Sequence, residues 1–218
     1  MKDDDDEIDT DAQLLERWRS GDAEAGDALF ERHGDGVIWF FRNKFRTGAE
    51  DLVHETWARL SQRRDHIRDP TRFRSFLFGI AHNVLRECLR ARAFDPERDS
   101  AEAIQPGPSS IAARRREHQL LLDALRQIPL DEQVMLELYY WEGLNAAELA
   151  EIAGISHSAM RGRLSKARKS LGKAMARLAT STPLIVDSRS DDFETWAAEI
   201  RAGRSRDDDE NEDEDGGE

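Results

Sequence analysis

Apolar residues recur at three- and four-residue spacing along most of this chain, the period of a helix face rather than the alternation of a strand. Leu14, Leu15 and Trp18 form one such face, and Ala25, Leu29 and Phe30 another. The dense run Val37-Ile38-Trp39-Phe40-Phe41 predicts a buried mid-helix stretch. Over residues 49–60, Leu52, Val53, Trp57 and Leu60 share a stripe, while Glu50, Asp51 and Glu55 fall mainly elsewhere. A polar, basic loop is expected over residues 61–72. A long helix then follows over 73–92, with Phe76, Leu77, Ile80, Val84, Leu85 and Leu89 in period.

Residues 94–110 break the pattern. They hold three of the six prolines and little apolar content, so they read as a flexible linker. A second helical block follows, punctuated by Pro129. Asp131 is a candidate N-cap for the helix carrying Val134, Met135, Leu138 and Tyr139. The predicted fold is all-α: an acidic disordered arm (1–10), a helical domain (11–93), a linker (94–112), a second helical domain (113–180) and a C-terminal extension (181–218). That extension contains an amphipathic segment near 192–200 with Phe193, Trp196, Ala197 and Ile200, then an acidic run expected to be disordered.

The second domain holds the most specific signal. Asn145 and Glu148 have capping-box spacing for a helix with Ala146, Leu149 and Ile152 on its apolar face. Gly154 suits the left-handed position that ends that helix. Ile155 and Met160 are expected to pack a second helix onto the first, and Ser156 to cap it. From Ser156 to Arg177 there are seven Lys/Arg residues and no acid. This is a helix-turn-helix whose second helix has the charge to enter a DNA major groove. Arg161, Ser165 and Lys166 lie near one face, where Arg and Lys can pair with guanine edges. Arg163, Arg168 and Lys169 lie on the flanks and are better placed for phosphates. A solvated cationic surface would not need the complete turn signature that precedes this helix.

The net charge of −13 looks wrong for a DNA binder until it is divided along the chain. Residues 1–11 carry −6 and residues 187–218 carry −10, so the remainder is close to +3. The acid sits in the tails. An acidic tail could fold back on the basic face and compete with DNA, or could serve only to solubilise. The single cysteine, Cys88, excludes an intramolecular disulfide and a cysteine-based zinc cluster. The six histidines show no ligand spacing, so no metal and no cofactor are expected. No apolar stretch approaches the roughly 18 residues that span a bilayer, and the acidic N-terminus does not suit a signal peptide, so a cytoplasmic protein is expected.

A second constellation is basic and aromatic. Arg63, Arg64, Arg68, Arg72 and Arg74 surround His66 and Phe73, and Asn83 and Arg86 follow on the next helix. Cations beside aromatic rings and amides suit an unpaired nucleic-acid strand. An ordinary basic surface loop is the alternative for this feature taken alone.

In this order the two blocks resemble sigma-70-family RNA polymerase sigma factors of the extracytoplasmic-function type. AEDLVHET at 49–56 and FLFGIAHN at 76–83 are similar to that family's region 2, and residues 117–172 to its region 4. The resemblance implies a transcription initiation factor, not an enzyme and without catalytic residues, whose partners are core RNA polymerase, promoter DNA and, as a further candidate, an anti-sigma factor. It implies that the 49–60 helix binds the β′ clamp helices through Asp51, Leu52, His54, Glu55 and Arg59. His66, Arg68, Thr71, Arg72, Asn83 and Arg86 would melt and hold the −10 strand. Region 4 would contact the β flap and read the −35 duplex with Ser156, His157, Arg161, Gly162, Arg163, Ser165, Lys166 and Arg168. Departures from the family pattern are His54 for a common Gln, Gly162 for a common Ser, and Gly79 and His82 at commonly basic positions. The rival reading is a conventional activator or repressor that binds an operator without polymerase. A nuclease or recombinase would need an acid triad or a nucleophile, and the helical blocks show neither.

Overall fold

A computed structural model describes residues 9–45, 47–93 and 116–180. The arm up to residue 8, the linker and the extension beyond 180, with its amphipathic segment, lie outside the described residues. The chain divides into two compact units, residues 1–104 and 105–218, and every described regular element is helical.

In the first unit, α1 (Asp11–Arg19) begins at a capping box. Thr10 accepts the Gln13 N–H, and the Gln13 side chain accepts the Thr10 N–H. Helix α2 (Ala23–Arg42) is capped by Asp22, and its 20 residues bury Leu29, Val37, Phe40 and Phe41. The apolar run at 37–41 therefore lies in the last two turns of α2 rather than its middle. Helix α3 (Ala49–Arg63) buries Val53, Thr56 and Leu60. Thr56 takes the inward position expected for Trp57 and donates to the Leu52 carbonyl at 2.7 Å. Trp57 instead packs at a tilt against Phe30, centroids 4.8 Å apart, and Phe30 is 45 % exposed. Helix α4 (Phe73–Ala93) closes the bundle with Leu77, Phe78, Ala81, Val84 and Leu85 buried.

Two contacts fix α1 on α2. A Cβ added at Gly26 would lie 2.6 Å from the Trp18 indole nitrogen, so the missing side chain lets that indole lie on the α2 backbone. Asp11 accepts from Arg32 at 2.8 Å and pairs with the buried His33 Nε2 at 2.8 Å. Burial alone would raise the Asp11 pKa, but His33 and Arg32 outweigh it and hold the carboxylate below its ordinary value.

In the second unit, α8 (His157–Thr180) packs against α5 (Arg116–Leu125), α6 (Leu130–Tyr140) and α7 (Ala146–Ala153). Met160, Leu164, Ala167, Leu171, Ala174 and Met175 form its buried face. The cap of α6 differs from expectation. Pro129 holds the extended cap geometry (φ −52, ψ 138), so Asp131 sits inside the first turn. There its charge still favours the helix dipole, without a side-chain cap bond.

Candidate nucleic-acid interface

The helix-turn-helix is built as its residues dictate. Asn145 accepts the N–H groups of Ala147 and Glu148, and the Glu148 carboxylate accepts the Asn145 N–H at 2.9 Å. Gly154 ends α7 at φ 65, ψ 35, the left-handed region that favours glycine. Ser156 caps α8, its Oγ accepting the Ala159 N–H at 3.2 Å. Met160 is fully buried and Ile155 half-buried, so both contribute to the packing of the turn.

Opposite the buried face of α8, Ser156, His157, Arg161, Gly162, Arg163, Ser165, Lys166 and Lys169 are exposed. Two cations of this helix have partners on α6. The Lys166 ammonium lies 2.9 Å from Oε1 of the buried Glu132. The Ser170 hydroxyl and Lys166 together hold the Glu132 carboxylate below its ordinary pKa. Arg168 differs from the other candidates: it is half-buried, donates to the Tyr140 hydroxyl at 2.7 Å and stacks over Tyr139 and Tyr140. Burial works against its charge, but the tyrosine hydroxyls outweigh it and raise its pKa.

In the first unit, the segment expected as one loop is more ordered. Helix α3 runs to Arg63, and two short 3-10 turns follow, Arg64–His66 and Pro70–Arg72. Ile67 and Phe73 bury their side chains at either side of the exposed tip. Asp69 accepts both the Thr71 N–H (3.0 Å) and its hydroxyl (2.6 Å). Those bonds, the hydroxyl first, hold the Asp69 carboxyl below its usual range. His66, Arg68 and Thr71 are exposed, and Arg72 is half-buried. Asn83 and Arg86 are exposed further along α4.

The contacts that hold this segment are long-range. Arg19 of α1 donates to the Arg64 carbonyl (3.1 and 2.8 Å) and to the Ile67 carbonyl. The Arg64 guanidinium in turn lies 5.1 Å from the Trp18 ring centroid. These partners are more than forty residues apart in sequence, and no local pattern announces them.

On α3, Asp51, His54 and Glu55 are exposed and Leu52 is half-buried. Arg59 is fixed between two acids, Glu55 at 2.6 Å and Glu87 of α4 at 2.7 Å. Glu87 first, then Glu55, raise its pKa further.

Both units match known families. Residues 29–102 match sigma-70 region 2, and residues 118–171 match sigma-70 region 4. The RNA polymerase sigma factor CarQ of Myxococcus xanthus is 32% identical over 170 residues, 75% of this chain and 97% of that protein. The chain belongs to the sigma-70-family RNA polymerase sigma factors of the extracytoplasmic-function type. The ECF sigma factor SigL of Mycobacterium tuberculosis is 28% identical to this sigma factor over 160 residues, 69% of the present chain and 89% of SigL. Its fold resembles the sigma factor RpoE of Bartonella quintana, solved in complex with the anti-sigma factor NepR. The TM-score is 0.56 at 21% identity, over 71% of this sigma factor and 97% of that chain. As a sigma factor, the protein is a transcription initiation factor that directs RNA polymerase to promoters. No helix among its described residues is long and apolar enough to cross a membrane.

Proposed function

We propose a division of labour between the two units. Helix α8 enters the major groove of the −35 duplex, with Arg161, Gly162, Ser165 and Lys166 toward the bases. Ser156, His157 and Arg163 lie toward the backbone. The observation that carries this reading is the exposed, one-signed face of α8, launched from a capped N-terminus directly after the left-handed Gly154. Arg168, held by Tyr140, is reassigned from phosphate contact to positioning α8 on α6.

The segment 64–72 with Asn83 and Arg86 holds the unpaired −10 strand. His66, Arg68 and Thr71 stand at its exposed tip, and Arg72 and the well-seated Phe73 form its base. The energy of capturing extruded bases offsets an unpairing cost of a few kcal/mol per base. Asp51, Leu52, His54, Glu55 and Arg59 form the face for the β′ clamp helices, and the second unit contacts the β flap. The functional domains are residues 11–93 and 113–180, joined by 94–112. The protein works in the cytoplasm without covalent chemistry of its own. The anti-sigma complex of the Bartonella quintana relative supports an anti-sigma factor as a further partner.

In vitro transcription tests the reading. Core RNA polymerase, with and without this protein, is given pooled promoter DNA from the source genome. Start sites that need the protein and disappear with Arg161→Ala plus Lys166→Ala are the expected result. Duplex binding without polymerase and no new transcripts would favour a conventional transcription factor.

A further inference from the structure

The cationic face of α8 continues past Lys166, the last residue assigned above to base contact. Lys166, Lys169, Lys173 and Arg177 follow at spacings of three and four, so they form one stripe about 16 Å long on the side away from the core. Lys169 and Lys173 are exposed and have no ion-pair partner among the described residues. Beyond the end of α8 at Thr180, the same chain carries eight carboxylates within nine positions, 207–215. Asp207 lies 27 residues past Thr180, a tether of up to about 90 Å when extended. The return path from Thr180 to Lys166 along the helix is about 21 Å.

We propose that this stripe is the docking site of the chain's own acidic segment 207–215, which occupies α8 in the free protein and is displaced by promoter DNA. Charge complementarity and the tether favour this occupant. An attached polyanion meets the stripe at an effective concentration in the millimolar range, above that of free competitors of similar affinity. The stripe starts at Lys166, so a docked segment shields a residue assigned above to base contact. The inference rests on that assignment for its consequence, though not for the contact itself. It gives a free sigma factor weak affinity for random DNA, and it leaves the stripe available once core polymerase and a −35 duplex compete together.

The test uses the full chain. In one variant Asp207, Asp208, Asp209, Glu210, Glu212, Asp213, Glu214 and Asp215 become the corresponding amides. In a control, Asp3, Asp4, Asp5, Asp6 and Glu7 do. Affinity for a random-sequence duplex is measured without polymerase, in dilute buffer and in half-molar salt. A zero-length carbodiimide crosslinker, read by mass spectrometry, reports carboxylate–lysine pairs in the DNA-free chain. The expected result is about three- to tenfold tighter binding for the C-terminal variant in dilute buffer, with the gap closing as salt screens the pairing. Gain per charge removed should be much smaller in the control. Crosslinks from 207–215 should reach Lys169 and Lys173 and fade when duplex is added. Equal gain per charge in both variants would show bulk repulsion and overturn the docking, as would an absence of crosslinks to the stripe. Crosslinks in a chain that binds no duplex would leave the docking intact and sink the DNA reading of α8.

Discussion

The Arg19 guanidinium of α1 lies 2.8 Å from the Arg64 carbonyl, 45 residues away, and also grips the carbonyl of Ile67. One side chain thereby satisfies two backbone acceptors at the base of the segment proposed to hold the −10 strand. A hydrogen bond to a charged group contributes about 1.5–3 kcal/mol, and an abandoned buried acceptor costs a comparable amount. Arg19 therefore ties the base of that segment to α1.

Replacing Arg19 by Ala should slow promoter melting about tenfold, the equivalent of ~1.4 kcal/mol of lost strand capture. Duplex affinity for the −35 element should stay unchanged, because α8 belongs to the other unit. The fluorescence of 2-aminopurine placed in the −10 element of polymerase complexes checks this, with R19K expected to recover part of the signal. Equal melting by wild type and R19A would rule out a positioning role.

Arg168 and Arg161 share a helix but should fail differently. R161A should reduce the slope of log affinity against log salt by about one, the signature of a lost phosphate or base-edge charge contact. Tyr140→Phe removes the acceptor of Arg168 and should destabilise the second unit by about 1 kcal/mol while leaving that slope alone. Urea unfolding and salt-titrated duplex binding on the same samples separate the two effects.

Glu132 links stability to the α8 face proposed to meet DNA. Its folded pKa is depressed, so its contribution to stability is present above the ordinary carboxylate range. That contribution is lost as pH falls through the lower folded value. Glu132→Gln should flatten this part of the acid-stability profile. It should also tighten duplex binding about two- to fivefold by freeing Lys166 from its 2.9 Å pair. Circular dichroism melts between neutral and acid pH, with binding at neutral pH, measure both; unchanged binding would mean that Lys166 is not engaged by DNA.

Of three glycines, two should lose stability on replacement by alanine and one should gain it. Gly154 has open space around it but φ 65, so G154A should cost about 1–2 kcal/mol through the backbone alone. Gly26 must accommodate the Trp18 indole, and G26A should cost about 1–3 kcal/mol by overpacking. Gly162 is helical with nothing within 4 Å, so G162A should stabilise the free second unit by up to ~1 kcal/mol. Thermal melts of the three variants rank them.

The helices and the turn were legible because their signals are local. A capping box needs residues three apart, and a left-handed glycine needs only its own φ, so Asn145, Glu148 and Gly154 declared themselves. Boundaries were less legible where two local devices competed. Asp131 has the residue type of a cap, but Pro129 holds the extended geometry and helix α6 begins at Leu130. Residues 61–72 read as one loop because the buried anchor within them, Ile67, stands alone among polar neighbours and makes no periodic stripe.

The helical class, the two blocks, the helix-turn-helix and the separation of acidic tails from basic helices can be read from the chain alone. All of these depend on composition or on spacing within one element. Helix packing supplied particular partners for particular charges, among them the 64–67 backbone for Arg19, Tyr140 for Arg168 and Glu132 for Lys166. It also decided that Phe30 would remain exposed against Trp57 while Thr56 went inside. Periodicity says which face of a helix turns inward. It cannot say which distant side chain will be waiting there, because that depends on how whole helices pack.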